Sequence, residues 1–292
     1  MGKEVIPKSE ISFNRKKLFL FLILGFIITG VYAQVVGVTV IELTEKARDF
    51  FIESTKGNII GQETGNKFGQ NLVVGTTEED IQSQGGTLIF LQSAELITLV
   101  SDNAADTLLG ANATSVEIFG LDSNFVEISE IVNLSGTTNV NTTQEFIRIN
   151  RMIVNEVGNY SSSNIGTIIG TSALSGTVQI EIPAGEGQSK TTHFTVPAGQ
   201  NLIVTSFRVT MDTGKEIDIT FKFRENADDI IRPMSPIKTI RDFKGLATPI
   251  SEEIKGNLKF GEKTDLWVVG VTSTGTSQIE VNYDFVQYTI GT

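Results

Sequence analysis

The segment SQIEVNYDFVQYTI, residues 277–290, alternates apolar and polar side chains with a period of two. Ile279, Val281, Tyr283 and Phe285 stand at every second position, and polar residues stand between them. Successive side chains of a strand point to opposite faces, so the pattern predicts a β-strand with one buried and one solvated face. Such strands are typical of antiparallel sheets.

The same period recurs along most of the chain, between clusters of Asn, Gly, Ser and Thr. The segments that show it are GGTLIFLQ, SVEIFGL, NFVEISEIVNL, EFIRINRMIVNEV, GTVQIEI, TTHFTV, QNLIVTSFRVTM, KEIDITFKFR and LWVVGVTS. IPAG at 182–185 and VPAG at 196–199 are matching turn signals, because Pro restricts φ and Gly adopts positive φ. We therefore predict a mainly β protein made of antiparallel strands.

A Gly- and Ser-rich interval, GNYSSSNIGTIIGTSALSG at 158–176, is the best candidate for a boundary between two β-modules. The predicted organisation is a tail, hydrophobic helix and short stalk in residues 1–57, β-module 1 in 58–165 and β-sandwich module 2 in 166–292. Seven or eight strands spaced by turns favour a sandwich of jelly-roll or related type. The fold class is thus mainly β, with an N-terminal hydrophobic helix followed by two antiparallel β-sandwich (jelly-roll-like) modules.

The segment RKKLFLFLILGFIITGVYAQ, residues 15–34, places three basic residues before a long apolar run. The uncharged stretch extends over residues 18–41, about 36 Å of helix at about 1.5 Å per residue, which is enough to span a bilayer. A retained anchor is the preferred interpretation. A signal peptide cleaved at Ala33 and a helix buried in an assembly stay open as alternatives. The basic flank places the N-terminus on the inside and the β-modules on the outside.

Residues 42–55, ELTEKARDFFIEST, alternate charged side chains with apolar ones at helical spacing. We expect them to continue the preceding helix or to form a short stalk. Gly57 is placed to cap the C-terminus of that helix.

The overall composition argues against several classes of function. The 292 residues carry a formal net charge of −11, and the basic residues cluster only at 15–17, which argues against nucleic-acid binding. There is no cysteine, so disulfide scaffolds, thiolate catalysis and Cys-based metal sites are excluded. His193 is the only histidine, and we interpret it as a strand-surface residue and not as part of a zinc set or a catalytic triad.

Acidic side chains give weak candidates for a cation site. Asp212, Glu216 and Asp218, or the pair Asp228–Asp229, could bind a hard cation such as calcium. The spacing is not that of an EF-hand, so solvated loop charge is the preferred interpretation.

Other motifs also favour structural roles. Glu127 and Glu130 differ in parity along a strand and would face opposite sides, which disfavours a glycosidase pair. GEGQSKT at 185–191 lacks the spacing of a phosphate loop, Glu252–Glu253 lie in a charged segment, and Trp267 is expected in the core. The glycosylation pattern occurs at Asn112, Asn133, Asn141 and Asn159. We predict no catalytic, cofactor-binding or metal-binding residue, no cofactor and no small-molecule substrate.

Three long segments together carry a resemblance to a known family. They are GLDSNFVEISEIVNLSGTTNVNTTQEFIRINRMIV at 120–154, NKFGQNLVVGTTEEDI at 66–81 and FTVPAGQNLIVTSFRVTM at 194–211. The chain resembles structural (virion) proteins of marine bacteriophages and related viruses over most of residues 60–290. The resemblance implies a virion component and brings no catalytic residues, while the N-terminal apolar segment departs from that family.

The preferred functional hypothesis is a viral structural protein that is not an enzyme. It would be a membrane-anchored, capsid-associated or virion-surface β-sandwich protein that acts by assembly and binding. The alternative is a cell-surface filament or adhesin subunit with an N-terminal membrane or packing helix, secreted or surface-exposed after cleavage at Ala33. Expected partners are further copies of the chain, other virion or surface proteins and a membrane contacted through residues 18–41.

Deleting residues 1–41 is expected to convert a protein that needs detergent into a soluble, folded β-protein, because the uncharged segment prefers hydrocarbon to water. Replacing Leu22 and Ile23 with Lys should also release it, at about 2.5–3.5 kcal/mol for each charge near the membrane centre. Membrane fractionation and intact mass measure both effects. A mature chain that starts at Gln34 would contradict the anchor.

Overall fold

The computed structural model describes residues 50–254 and 258–291. The predicted anchor at 18–41, the cleavage position at Ala33 and most of the predicted stalk lie outside the described residues. Helix α1, Phe50–Thr55, is the described end of the stalk. Gly57 follows it with a φ of 71° and donates its N–H to the Ser54 carbonyl at 3.0 Å, as predicted for a C-cap. No helix in the described ranges combines the length and the apolar character that a bilayer crossing needs.

The strands of the described residues pair antiparallel, which confirms the mainly β, antiparallel prediction. In chain order they are β1 (Gln62–Val74), β2 (Glu79–Asp80), β3 (Ile97–Ser101), β4 (Ala113–Leu121), β5 (Glu127–Asn133), β6 (Val140–Asn141), β7 (Arg148–Val157), β8 (Ile168–Ser172), β9 (Val178–Ile182), β10 (Phe194–Thr195), β11 (Gln200–Met211), β12 (Ile217–Arg224), β13 (Lys238–Leu246), β14 (Ile250–Glu253), β15 (Lys259–Phe260), β16 (Asp265–Thr272) and β17 (Ser277–Thr289).

Two five-stranded sheets share one apolar core, and we call them the terminal sandwich. One sheet has the order β1-β17-β11-β14 with β15 on β11, and the other has the order β10-β16-β12-β13 with β2 on β16. Strand β17 behaves as its sequence predicts: Ile279, Val281, Tyr283 and Phe285 are buried in this core, between more exposed polar residues. Strands β11, β12 and β16 supply most of the remaining core side chains.

A second pair of sheets, with the orders β6-β3-β8-β9 and β5-β4-β7, shares a separate core. The core side chains include Ile97, Leu99, Ile118, Phe146, Met152, Ile168 and Ile180. These strands occupy residues 97–182, between β2 and β10 of the terminal sandwich, so we call them the inserted sandwich. The chain leaves and re-enters at one place, because the Ser83 N–H donates to the Lys190 carbonyl at 2.9 Å.

Strand pairing groups the chain differently from the predicted modules. The boundary at 165/166 falls inside the inserted sandwich, where β8 pairs with β3 across it. Strand β1 pairs with β17 from Gln62 to Asn71 and again at Val74. The structure therefore groups residues 62–80 with 194–289 and sets 97–182 apart. Composition detects a loop near residue 160 but carries no information on which strands pair across it. Autonomous folding of 58–165 and of 166–292 stays a prediction, and the strand orders do not establish a jelly roll.

Two predicted strands differ from the observed elements. GGTLIFLQ lies outside the strands, and its Phe90 ring packs edge-on against His193 and Trp267 at centroid distances of 5.7 and 5.5 Å. In TTHFTV only Phe194–Thr195 form a strand. TTHFTV is buried through its whole length, whereas in GGTLIFLQ only Leu91 is buried and Ile89 is exposed.

Strand β1 approaches its neighbours closely because it carries glycine at two inward positions. A Cβ at Gly65 would lie 2.3 Å from the Phe285 ring, and one at Gly69 would lie 2.4 Å from the Ile81 carbonyl oxygen. Substitution of either glycine would push β1 away from the core. The two predicted Pro–Gly turns are confirmed, since Gly185 and Gly199 have φ of 79° and 78°.

Excision of residues 84–189, with a short Gly-Ser linker between Ser83 and Lys190, is expected to leave a folded terminal sandwich. Both of its sheets and its core remain, and the joined ends are already hydrogen-bonded. In a chain that also lacks residues 1–41, circular dichroism should show β-structure and a cooperative thermal transition. Fragment 177–292 is the matched comparison: it lacks β1 and β2, and we expect it to melt at a lower temperature. A cooperative transition in fragment 177–292 combined with none in the excised chain would contradict the grouping.

Candidate functional site

His193, the only histidine, is buried and not on a strand surface as the sequence analysis expected. Its Nδ1 lies 2.9 Å from the Thr191 hydroxyl, and its Nε2 lies 3.1 Å from Asp80 Oδ2. Asp80 also accepts the Leu88 N–H at 2.7 Å. Both ring nitrogens are thus occupied by internal partners, so the histidine is placed to hold the 80–90 loop against β10.

The acidic candidates for a cation site do not converge. Asp212 accepts the Gln278 N–H at 2.8 Å, whereas Asp218 accepts the Gly245 N–H at 2.8 Å on a different strand. Asp228 pairs with Lys263 at 2.7 Å, and Asp229 accepts the Ser235 N–H at 3.1 Å within its own loop. In the described ranges there is no group of three or more His, Asp or Glu side chains placed to hold a metal ion.

The other sequence candidates also serve the fold. Glu127 bonds to Gln287 while Glu130 caps the backbone N–H groups of Thr143 and Gln144, so the two carboxylates are used in different places. Lys190 of GEGQSKT pairs with Glu186 at 2.8 Å, and the segment leads into β10 and not into a helix. Trp267 is buried, as predicted. Of the four asparagines with the glycosylation pattern, three are exposed and one is half-buried: Asn133, Asn141 and Asn159 are the exposed ones, and Asn112 is half-buried. Glu252 pairs with Arg241 at 3.4 Å.

The junction between the two sandwiches is a buried polar cluster. Arg148 of β7 donates to both carboxylate oxygens of Asp265 on β16, at 2.9 and 3.0 Å, and the two side chains are 5 % and 0 % exposed. Arg148 also donates to the Leu91 carbonyl at 2.7 Å and lies 4.8 Å from the Phe90 ring centroid. A bidentate, fully hydrogen-bonded pair of this kind fixes the orientation of the elements that carry it.

Threonine and asparagine side chains complete the cluster. Thr195 donates its hydroxyl to Asp265 at 2.6 Å and exchanges two backbone–amide bonds with Asn150 at 2.8 and 3.1 Å. Thr192 donates to the Ile81 carbonyl at 3.2 Å, and its own carbonyl accepts the Tyr283 hydroxyl at 2.7 Å. Residues 191–195 therefore contact both sandwiches through polar atoms that water cannot reach, and burial raises the pKa of Tyr283 well above its usual value.

A cleft of about 490 Å³ lies beside this cluster, between strands β1 and β17 and the sheet β5-β4-β7. Its apolar walls include Phe119, Phe194 and Phe285, and its charged groups are Lys67, Glu127 and Arg151. Lys67 is 6 % exposed and donates from Nζ to the Asn150 carbonyl. Burial, and secondarily the nearby charge of Arg151, lower the pKa of Lys67 to about 7. The Lys67 amine, which is protonated in water, therefore loses its proton close to neutral pH in this site.

Two sets of loops each expose four apolar side chains, in addition to exposed apolar side chains elsewhere in the described residues. The apolar rim of the inserted sandwich consists of Leu108, Leu109, Tyr160 and Ile165, with Leu109 and Tyr160 almost completely exposed. The β12–β13 loop exposes Ile230, Ile231, Met234 and Ile237. Where exposed apolar groups form a contiguous patch, the patch usually marks a contact surface.

Sequence reasoning missed Arg148, Asp265 and Lys67. Arg148 stands in a run whose neighbours are apolar, and Lys67 has the same parity as buried positions of β1. A charge on the apolar face of a predicted strand is the signal that could have found them, because a buried charge needs a compensating partner.

Replacing Arg148 with Met is expected to lower the free energy of unfolding by about 3–5 kcal/mol, because Asp265 is left buried without its cation. The double variant Arg148→Met/Asp265→Leu should recover part of this loss, since no uncompensated charge remains. Denaturant unfolding at neutral pH measures both. The control is Arg208→Met, which removes an exposed pair with an N–O distance of 3.9 Å and should cost less than about 1 kcal/mol. Equal losses for the two single variants would contradict the assigned importance of the junction.

Comparison with known proteins gives weak similarities. No family model and no curated protein matches the chain. Particles derived from infectious bursal virus align at 14 % identity over 78 % of this chain and 74 % of theirs, with a TM-score of 0.19. The structure of the Gx strain of infectious bursal disease virus aligns at 9 % identity over 79 % of this chain and 71 % of that chain, with a TM-score of 0.20. The VP2 subviral particle of infectious bursal disease virus aligns at 10 % identity over 79 % of this chain and 77 % of that chain, with a TM-score of 0.18. These three structures are viral, and at these TM-scores they carry no argument about this chain.

Proposed function

We propose that the chain is a viral structural protein: a membrane-anchored, capsid-associated or virion-surface β-sandwich protein that acts by assembly and binding. The observation that carries the proposal is the exposure of apolar side chains on two loop regions that are held firmly in place. Exposed apolar surface is unfavourable in an isolated chain and is covered when copies associate.

The apolar rim is held by one buried carboxylate. Asp106 is completely buried and accepts the N–H groups of Ile165 and Gly166, each at 2.9 Å, and the Ser101 hydroxyl at 2.7 Å. It thereby ties the loop that carries Leu109 to the loop that carries Tyr160. A surface that is ordered before binding loses less conformational entropy when it binds.

The β12–β13 loop is held in a similar way. Arg224 donates to the Asp229 carbonyl at 2.8 Å, and the Asp229 carboxylate accepts the Ser235 N–H at 3.1 Å. Lys263 ties Asp228 to the terminal sandwich. The exposed apolar side chains of the β12–β13 loop therefore lie on a loop that is held in one conformation by hydrogen bonds and an ion pair. A contact surface between subunits benefits from such order.

The remaining parts of the proposal come from the sequence. The resemblance of segments 66–81, 120–154 and 194–211 to virion proteins of marine bacteriophages supports the viral assignment. The uncharged stretch at 18–41 supports anchoring in a membrane, with the β-modules outside. Jelly-roll-like modules and other virion proteins as partners belong to the same proposal.

The chain without residues 1–41 is expected to self-associate at micromolar concentration in sedimentation velocity experiments. Leu109→Ser combined with Tyr160→Ser, or Ile231→Ser combined with Met234→Ser, should weaken association at least about tenfold, because burial of each apolar side chain contributes about 1.5–3 kcal/mol. Leu174→Ser is the control, since Leu174 is 83 % exposed but lies outside both loop regions.

A strictly monomeric chain, or an equal effect of Leu174→Ser, would contradict the proposal. Electron microscopy of the assembled material separates the two functional hypotheses. Closed shells fit a virion component, whereas open helical filaments fit the cell-surface filament subunit, because a head-to-tail contact that does not close gives a filament.

A further inference from the structure

The cleft beside the junction is lined by two basic side chains, Lys67 and Arg151, and by one acidic side chain, Glu127. Among the described residues neither Lys67 nor Arg151 forms an ion pair, although Arg151 lies close enough to depress the pKa of Lys67. The Lys67 ammonium carries three N–H donors, and the Asn150 carbonyl takes one of them. A buried cation without a counter-charge is costly, so the site favours an incoming anion.

The remaining walls of the cleft are largely apolar. Phe119, Phe194 and Phe285 line it together with Ile128 and Ile153. The volume of about 490 Å³ is in the range that holds small organic ligands. A simple inorganic anion would leave these apolar walls in contact with water.

We propose that this cleft binds a small carboxylic acid with an apolar body. The carboxylate lies between Lys67 and Arg151, where it accepts charge-assisted hydrogen bonds. The body lies against the three phenylalanine rings and removes their surface from water. This binding site is independent of the loops that the assembly proposal uses.

Two other titratable groups bear on the pH dependence of binding: Glu127 lines the cleft, and Tyr283 stands opposite Lys67 in the β1–β17 ladder. Glu127 on β5 is half-buried, and burial, with a smaller contribution from the charge of Glu63, raises its pKa. Ionised Glu127 repels a carboxylate, so Glu127→Gln should bind the ligand more tightly. Tyr283 on β17 stays neutral up to high pH. A carboxylate beside Lys67 raises the pKa of that lysine from about 7, so binding at pH 8 takes up protons.

Calorimetric titration of the full chain with 4-phenylbutanoate tests the proposal. The neutral amide of the same body and acetate, which has the charge without the body, are the matched ligands. We expect 4-phenylbutanoate to bind at least about tenfold more tightly than either. At pH 8 the heat should depend on the ionisation enthalpy of the buffer, and Lys67→Met should abolish that dependence.

Arg151→Gln should weaken binding of 4-phenylbutanoate about tenfold, or about 1.4 kcal/mol, and leave the melting temperature unchanged because Arg151 is exposed. Arg208→Gln is the control, since Arg208 is an exposed arginine that does not line the cleft. Equal affinity for the carboxylate and its amide, or undiminished affinity in Arg151→Gln, would overturn the proposal. The arginine variant decides the question even where Lys67→Met fails to fold.

Discussion

The buried ion pair between Arg148 and Asp265 is the interaction on which the arrangement of the two sandwiches depends. It joins β7 of the inserted sandwich to β16 of the terminal sandwich, and both side chains are shielded from water. Such a pair adds little net stability compared with an apolar contact of the same size, because desolvation of both charges offsets their attraction. Its strict geometry instead specifies how the two sandwiches meet. A mispositioned β7 would leave two buried charges unpaired.

Residues 191–195 show how polar burial and topology are connected. The chain enters the inserted sandwich after residue 83 and returns at residue 190, so this segment must pass between the two cores. An apolar segment there would merge the cores and leave its own backbone groups without partners. Threonine and asparagine side chains satisfy those groups, with Thr192 serving the backbone of both β16 and the 80–82 segment. The two cores can therefore stay separate while their positions stay fixed.

Several acidic side chains of the described residues hold loops in place. Asp80, Asp106 and Glu130 each accept backbone N–H groups of a turn and hold it in place. Each of these three carboxylates is thus used within the fold. The cleft differs, because among the described residues its two basic side chains, Lys67 and Arg151, form no ion pair. The proposed assembly through ordered loops and the proposed ligand binding in the cleft thus depend on different parts of the molecule.

The sequence by itself determined the antiparallel β character, the strands β4, β5, β7, β11, β12, β16 and β17, the two Pro–Gly turns and the cap at Gly57. These features are local, because alternation of side chains and the φ of glycine are properties of a few neighbouring residues. Only the tertiary structure decided that residues 97–182 form an insertion, that His193 is buried and that Arg148 meets Asp265. Those facts depend on contacts between residues far apart in the chain, and local periodicity carries no information about such contacts. A charge within an apolar run indicates that a partner exists, and only the fold brings that partner to it.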